Sequence, residues 1–306
     1  MPKAARERFL QELHARFPTA RKLANTQSLY DIGGGAARLY IRYSRRHPGN
    51  TTFYGLRRQD LRELEGRCSF ICFLWDEQFE PLVVPFGEYE EVFHTTPPAP
   101  DGQYKSQVLL GSDVTELYIA NAGRFNVESC FGWDALDAAV QSATLESCPT
   151  LTHSQVQTLL GAIGFAKGYD VWIPASNRGQ LDWSCASPFG CRERLPLGYE
   201  SVACVLEEVD VVWIGKGSTE LSSLFEVEHS TPSYSGLLRF NDIHLAAPSL
   251  RPRFNIVAND ERRSVFARQL NHPTFRTSGL SEMCSFLEYV DVYGWYQRVA
   301  RSVTGG

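Results

Sequence analysis

Apolar positions along this chain change their period near residue 29 and again near residue 150. From Lys3 to Phe17 they recur at helical spacing. Phe9, Leu10, Leu13 and Phe17 form one stripe among alternating charges, which predicts a basic amphipathic helix ended by Pro18. From Leu29 to about Ala120 the runs shorten to strand length, at 38–43, 68–74, 81–84, 104–110 and 116–120. Gly33-Gly34-Gly35, His47-Pro48-Gly49-Asn50, the Pro97 to Gly102 segment and Gly111-Ser112-Asp113 separate them as turns. Short strands with frequent turns predict a β-rich N-terminal domain.

Asp134 to Thr152 reads as a helix followed by a Ser/Thr/Pro linker, so a boundary at 148 divides the chain into domains 1–148 and 149–306. Beyond it helices and strands alternate. The pattern predicts a helix at 155–167, strands at 170–174, 209–214 and 222–229, and an irregular insert at 176–200. Gly215-Lys216-Gly217 makes the second and third strands a hairpin. A helix follows from about Ser233 to Leu245, capped by Ser230 or Thr231 with Pro232 in its first turn. Its Tyr234, Leu237, Leu238 and Asn241 are expected on the core face. A strand at 254–258, a helix at 261–270, a strand at 285–287 and a closing helix complete the chain. The order α-β-β-β-α-β-α-β-α predicts a mixed sheet with helices on its faces, an α/β (α+β) fold class.

The chain's 306 residues, 43% of them hydrophobic, exclude a disordered chain. No apolar run is long enough for a transmembrane helix, and the first residues lack the apolar core of a secretory signal, so a cytoplasmic location is expected. The eight cysteines include no C-x-x-C pair, which argues against zinc. Charge is unevenly spread. Residues 1–70 carry 14 Lys and Arg against 6 Asp and Glu, whereas 71–250 carry 8 against 24. Such a division suits either a polyanion-binding region joined to a metal-binding one, or two solvated faces of opposite sign.

The candidate chemistry lies in the hairpin. Asp210 enters an otherwise apolar strand, and Glu226 and Glu228 interrupt the next one. Alternation places the two glutamates on one face, with Cα atoms roughly 6–7 Å apart. An isolated Glu-x-Glu on a half-exposed strand simply faces water. With Asp210 beside them, three converging carboxylates would repel one another unless a divalent cation, Mg²⁺ or Mn²⁺, lay between them. His229, on the opposite face, is expected to pack or to support from behind.

Asp210, then Phe225-Glu226-Val227-Glu228-His229-Ser230, then a helix and a strand, is similar to the active-site hairpin of the PD-(D/E)XK nuclease superfamily. The run from Phe225 to Asp242, with Phe254 to Arg263 and Asn271 to Phe275, resembles restriction-endonuclease-like prokaryotic proteins of that superfamily over roughly residues 155–290. The resemblance implies a metal-dependent DNA endonuclease of restriction or phage defence. Asp210 and Glu226 would hold the metal with the main-chain carbonyl of Val227, and Gln157 would reach the same place. Glu228 stands where the superfamily usually has lysine, and would serve as general base or as a ligand to a second metal. A shifted frame instead makes Glu228 the metal ligand and puts Ser230 in the lysine position. The departure also motivates a second reading, a catalytically inactive nucleic-acid-binding or regulatory subunit with the same fold.

The first domain would then choose the substrate. Arg42, Arg45 and Arg46, then Tyr54, Arg57 and Arg58, interleave cations with aromatics around turns, and Lys105 and Arg124 stand near two further turns. Arginine suits phosphates and guanine edges, and tyrosine stacks on unpaired bases. Ordinary cationic solubilisation explains the same residues. Arg239, on the helix after the hairpin, is a further phosphate-contact candidate. DNA is the expected partner, with RNA not separated from it, and a homodimer or a defence complex would supply two cutting centres.

Overall fold

A computed structural model of the chain describes residues 2–24, 26, 28–111, 113–145, 148–229 and 234–304. The chain divides into two compact units, Met1–Ser147 and Cys148–Gly306.

In the first unit, helix α1 (Pro2–Arg16) precedes strands β1 (Arg21–Lys22), β2 (Leu29–Ile32), β3 (Ala37–Tyr43) and β4 (Tyr54–Arg57). Helix α2 (Arg58–Arg62), β5 (Ser69–Leu74), β6 (Leu82–Pro85), α3 (Glu90–Thr95), β7 (Gln103–Leu110), β8 (Thr115–Ile119), β9 (Gly123–Asn126) and α4 (Asp134–Leu145) follow. Two sheets result, ordered β1-β2-β3-β5-β6 and β4-β7-β8-β9. One core joins them, from Tyr40, Ile71, Phe73 and Val84 to Leu56, Tyr104, Val108 and Leu117. The far face of the first sheet packs Leu39, Ile41 and Phe70 against Phe9, Leu13 and Leu136 of the two long helices. That two-sided burial is why 70–74 reads as one unbroken apolar run. The predicted basic helix and the five predicted strands are present, each displaced by a residue or so.

In the second unit, α5 (His153–Ala166), β10 (Asp170–Trp172), α6 (Ala175–Arg178) and α7 (Ala203–Leu206) precede β11 (Val211–Ile214), β12 (Leu221–Glu228) and α8 (Tyr234–Ala246). Then come β13 (Arg253–Ala258), α9 (Arg263–Leu270), α10 (Pro273–Ser278), β14 (Cys284–Glu288) and α11 (Tyr289–Thr304). The strands form one sheet in sequence order. β10-β11-β12 run antiparallel, and β12-β13-β14 run parallel. This is the expected α+β arrangement, a mixed sheet with helices on both faces. One face carries Leu224, Ile256 and Phe254 beneath Leu237, Phe240 and Phe266. The other carries Phe225, Val227 and Trp213 beneath Leu159, Leu160, Ile163 and Trp295. The proposed cap residues Ser230 and Thr231, with Pro232, lie outside the described residues. On α8 the expected face is half right. Leu237 and Asn241 are buried, but Tyr234 and Leu238 are exposed, and Gly236, Phe240 and Ile243 take their share of the core. No helix among the described residues is long and apolar enough to cross a membrane.

Trp213 anchors the α5 side. Fully buried, it donates from Nε1 to the Leu160 carbonyl at 3.0 Å and lies among the rings of Tyr169, Phe225 and Trp295 at 4.7–5.4 Å. A Cβ on Gly164 would sit 2.4 Å from that Nε1. The hydrogen bond and the three rings stop the indole from yielding. Gly164→Ala is therefore expected to cost about 1–3 kcal/mol, outweighing alanine's better helix propensity. Thermal denaturation checks this, and an unchanged melting temperature would show that the indole moves freely.

Candidate functional site

The β11–β12 pairing sets the geometry. Val211 pairs with Phe225, so Asp210, one residue earlier, arrives beside Glu226. Asp210 Oδ2 accepts the Val227 amide at 2.8 Å, which ties the incoming chain to the C-terminal end of β12. Gln157, buried on α5, donates to the Asp210 main-chain carbonyl at 2.8 Å. Gln157 thus reaches Asp210 through its backbone.

Glu226 and Glu228 share the α8 face of β12 and are 1% and 3% exposed, so they are not solvated strand glutamates. Space for them comes from Gly236. A Cβ there would lie 3.0 Å from Glu228 Oε1 and 3.1 Å from Glu226 Cβ. Arg239, one turn further along α8, forks onto Glu226, with Nε on Oε1 at 2.7 Å and Nη2 on Oε2 at 2.6 Å. Its Nη1 is 3.6 Å from the mostly exposed Glu208. The phosphate-contact candidate on this helix is therefore turned towards a carboxylate.

Burial pushes the Glu226 carboxyl up to about 7; Arg239 opposes this, while the charges of Asp210 and Glu228 add to it. The pair with Glu226 holds the Arg239 guanidinium above its ordinary value. A second basic side chain at the site was missed in the sequence. His153 Nε2 lies 3.4 Å from Asp210 Oδ1. Asp210 holds its imidazole above the ordinary value against burial, with Glu228 and Glu226 adding to the effect. The only local signal was the capping box of Thr152 and Gln155, which fixes the first turn of α5 on which His153 sits. His229 is exposed, stacked on Tyr289 at 6.1 Å and turned from the carboxylates, as alternation requires.

Oxygen donors at this density, one of them a carboxyl pushed towards its neutral form by burial and then by the charges of Asp210 and Glu228, fit a hard divalent cation in chemistry and in charge. They do not stand as a ready coordination group. Among the described residues, no three His, Cys or carboxylate side chains are gathered to hold a metal ion. Arg239 occupies both Glu226 oxygens instead.

The candidate interface in the first unit divides in two. Arg45, Arg46 and Arg57 are exposed, and Arg42 and Arg58 are half-buried. Lys105 is paired with Asp101, and Arg124 lies 3.3 Å from Glu116, so each cation is partly neutralised on the spot. Tyr54 requires correction. It starts β4, whose alternation sends Tyr54 and Leu56 inward and Arg57 outward, and its hydroxyl donates to the Leu74 carbonyl at 3.1 Å. A ring 4% exposed offers no face to a base. The exposed ring here is Phe53, 52% accessible with His47 edge-on at 5.0 Å.

Comparison with known proteins gives the chain a family. The family model for the C-terminal domain of the type II restriction enzyme NmeDI matches residues 136–304. The chain belongs to that family. The type II restriction enzyme NmeDI of Neisseria meningitidis serogroup C is 30% identical over 185 residues, covering 58% of this chain and 51% of that protein. The chain thus spans about half the length of the curated relative it matches. No solved structure matches it. The family match contains the whole α5–α11 unit apart from its last residues, with Asp210, Glu226, Glu228, Arg239 and His153 inside it.

Proposed function

We propose that this chain is a restriction-type endonuclease of the PD-(D/E)XK kind, hydrolysing DNA phosphodiester bonds with Mg²⁺ or Mn²⁺ at Asp210, Glu226 and Glu228. The observation that carries the reading is the fully buried Glu226 on the hairpin, next to Asp210 and under the influence of Glu228. Membership of the NmeDI family supports DNA as the substrate. Type II restriction enzymes generally use divalent ions, which supports the cation. Such an ion, when bound, supplies Lewis acidity towards water and a phosphoryl oxygen. Asp210 and Glu226, with the Val227 carbonyl, would hold it, and Gln157 fixes the backbone of Asp210. Glu228 takes the proton of the attacking water as its oxygen bonds to phosphorus. One ester P–O bond breaks, and the leaving alkoxide takes a proton from solvent. The test is cleavage of mixed bacterial genomic DNA, with RNA in parallel, in Mg²⁺, in Mn²⁺ and in chelator. Metal-independent cleavage, or RNA cut in place of DNA, would overturn the assignment.

The closed Arg239–Glu226 pair favours one other reading, a DNA-binding subunit that keeps the fold without the chemistry. Salt-dependent DNA retention with no metal-dependent turnover distinguishes it.

Residues 1–148 act in this proposal as the recognition domain. Reversing charge at Arg45, Arg46, Arg57 and Arg58 is expected to raise the dissociation constant for duplex DNA by 10-fold or more at low salt, about one counterion release per lost contact. Single-turnover cleavage at saturating enzyme should change far less. Unchanged affinity would remove these residues from the interface.

A further inference from the structure

Arg239 brings a permanent positive charge to the buried carboxylates, and its position has a consequence for how the site works. Glu226 is 1% exposed, whereas the Arg239 side chain is 26% exposed, so the guanidinium stands between the buried carboxylate and solvent. Among the described residues, its outer nitrogen has the weak Glu208 contact at 3.6 Å. Any cation bound by Glu226 must take at least one oxygen that Arg239 now holds. A DNA phosphate entering beside Asp210, Glu226 and Glu228 adds a further negative charge that some cation must offset. The planar fork of arginine fits carboxylate and phosphate alike. Exchange of one for the other costs little geometry, and the long stem of the side chain gives it reach.

We propose that Arg239 is a hand-over cation: it covers Glu226 in the metal-free protein and moves to the scissile phosphate when Glu226 takes up a divalent ion. The proposal rests on the nuclease reading above. It makes metal and guanidinium competitors for one carboxylate, and it makes DNA and metal mutually reinforcing ligands.

The test measures Mn²⁺ affinity by titration calorimetry and cleavage of mixed bacterial genomic DNA, for the full chain and for Arg239→Gln and Arg239→Lys. Removing the competitor in Arg239→Gln is expected to tighten Mn²⁺ binding by about 10-fold. Losing the phosphate partner slows cleavage by about 10²-fold at saturating Mn²⁺. Arg239→Lys keeps the charge without the fork, and lies between the two on both measures. It carries the test alone if the glutamine variant fails to fold. Unchanged or weaker Mn²⁺ binding in a folded variant would make Arg239 a structural counter-ion and overturn the proposal. Tighter binding with undiminished cleavage would overturn it as well, by removing the phosphate contact. If wild type binds Mn²⁺ while the variants bind it no more tightly, the nuclease reading survives. If none of the three binds Mn²⁺, the cation site itself is refuted, and the hand-over with it.

Discussion

Asp210→Asn is expected to leave the fold intact and to lower metal-dependent DNA cleavage by about 10²–10³-fold, the scale set by losing one electrostatic contact to a transition state. The substitution is selective because Asp210 has two separable tasks. Its Oδ2 accepts the Val227 amide at 2.8 Å, and an asparagine amide oxygen can accept the same bond. Its main-chain carbonyl, held by Gln157, is unchanged. What disappears is the negative charge, and with it the partner that holds His153 above its ordinary value. Asp210→Ala behaves differently. It strips the acceptor from the Val227 amide as well, at a cost of about 1–3 kcal/mol, so loss of activity there would mix unfolding with chemistry. Circular dichroism and thermal melting establish that the asparagine variant is folded, and plasmid or genomic DNA cleavage in Mg²⁺ gives the rate. A folded Asp210→Asn protein that cuts as fast as wild type would remove this hairpin from catalysis.

The hairpin was legible in the sequence because charge in an apolar strand is costly, and Asp210, Glu226 and Glu228 each break a hydrophobic run. Strand alternation then gave the shared face of the glutamates, and the orientation of His229. Mixed sheet and flanking helices followed from the change of period, since the central strands of the second unit are short, largely apolar runs buried on both faces. Shorter elements escaped. β4 is four residues long, and its Tyr54-Gly55-Leu56-Arg57 looks like a basic-aromatic surface until alternation against β7 buries the tyrosine. Tyr234 and Leu238 fit a helical stripe as well as Gly236 and Phe240 do, but which stripe faces the sheet depends on where Glu226 and Glu228 need a glycine above them. His153 and Arg239 carry no local mark of their role. His153 meets a residue 57 positions away and Arg239 one 13 positions away, and only tertiary packing brings either pair together.

The same burial that makes Glu226 a candidate ligand makes it a stability liability that depends on pH. Its carboxyl is pushed from an ordinary 4.5 up to about 7, first by burial and then by Asp210 and Glu228, with Arg239 resisting. The raised value means that between pH 4.5 and 7 the folded protein holds a proton that the unfolded chain has released. Folding stability contributed by this group is therefore complete below about pH 4.5 and declines as pH rises through 7, at up to about 1.4 kcal/mol for each unit of separation. Glu226→Gln cannot ionise, so its urea unfolding free energy should lose this downward slope between pH 5 and pH 8. Arg239→Gln should steepen the slope, because it removes the neighbour that most favours the charged form. An identical slope in wild type and Glu226→Gln would mean that Arg239 fully neutralises the carboxylate throughout this range. In that case the guanidinium, and not the crowding of Asp210, Glu226 and Glu228, sets the charge of the metal-free site.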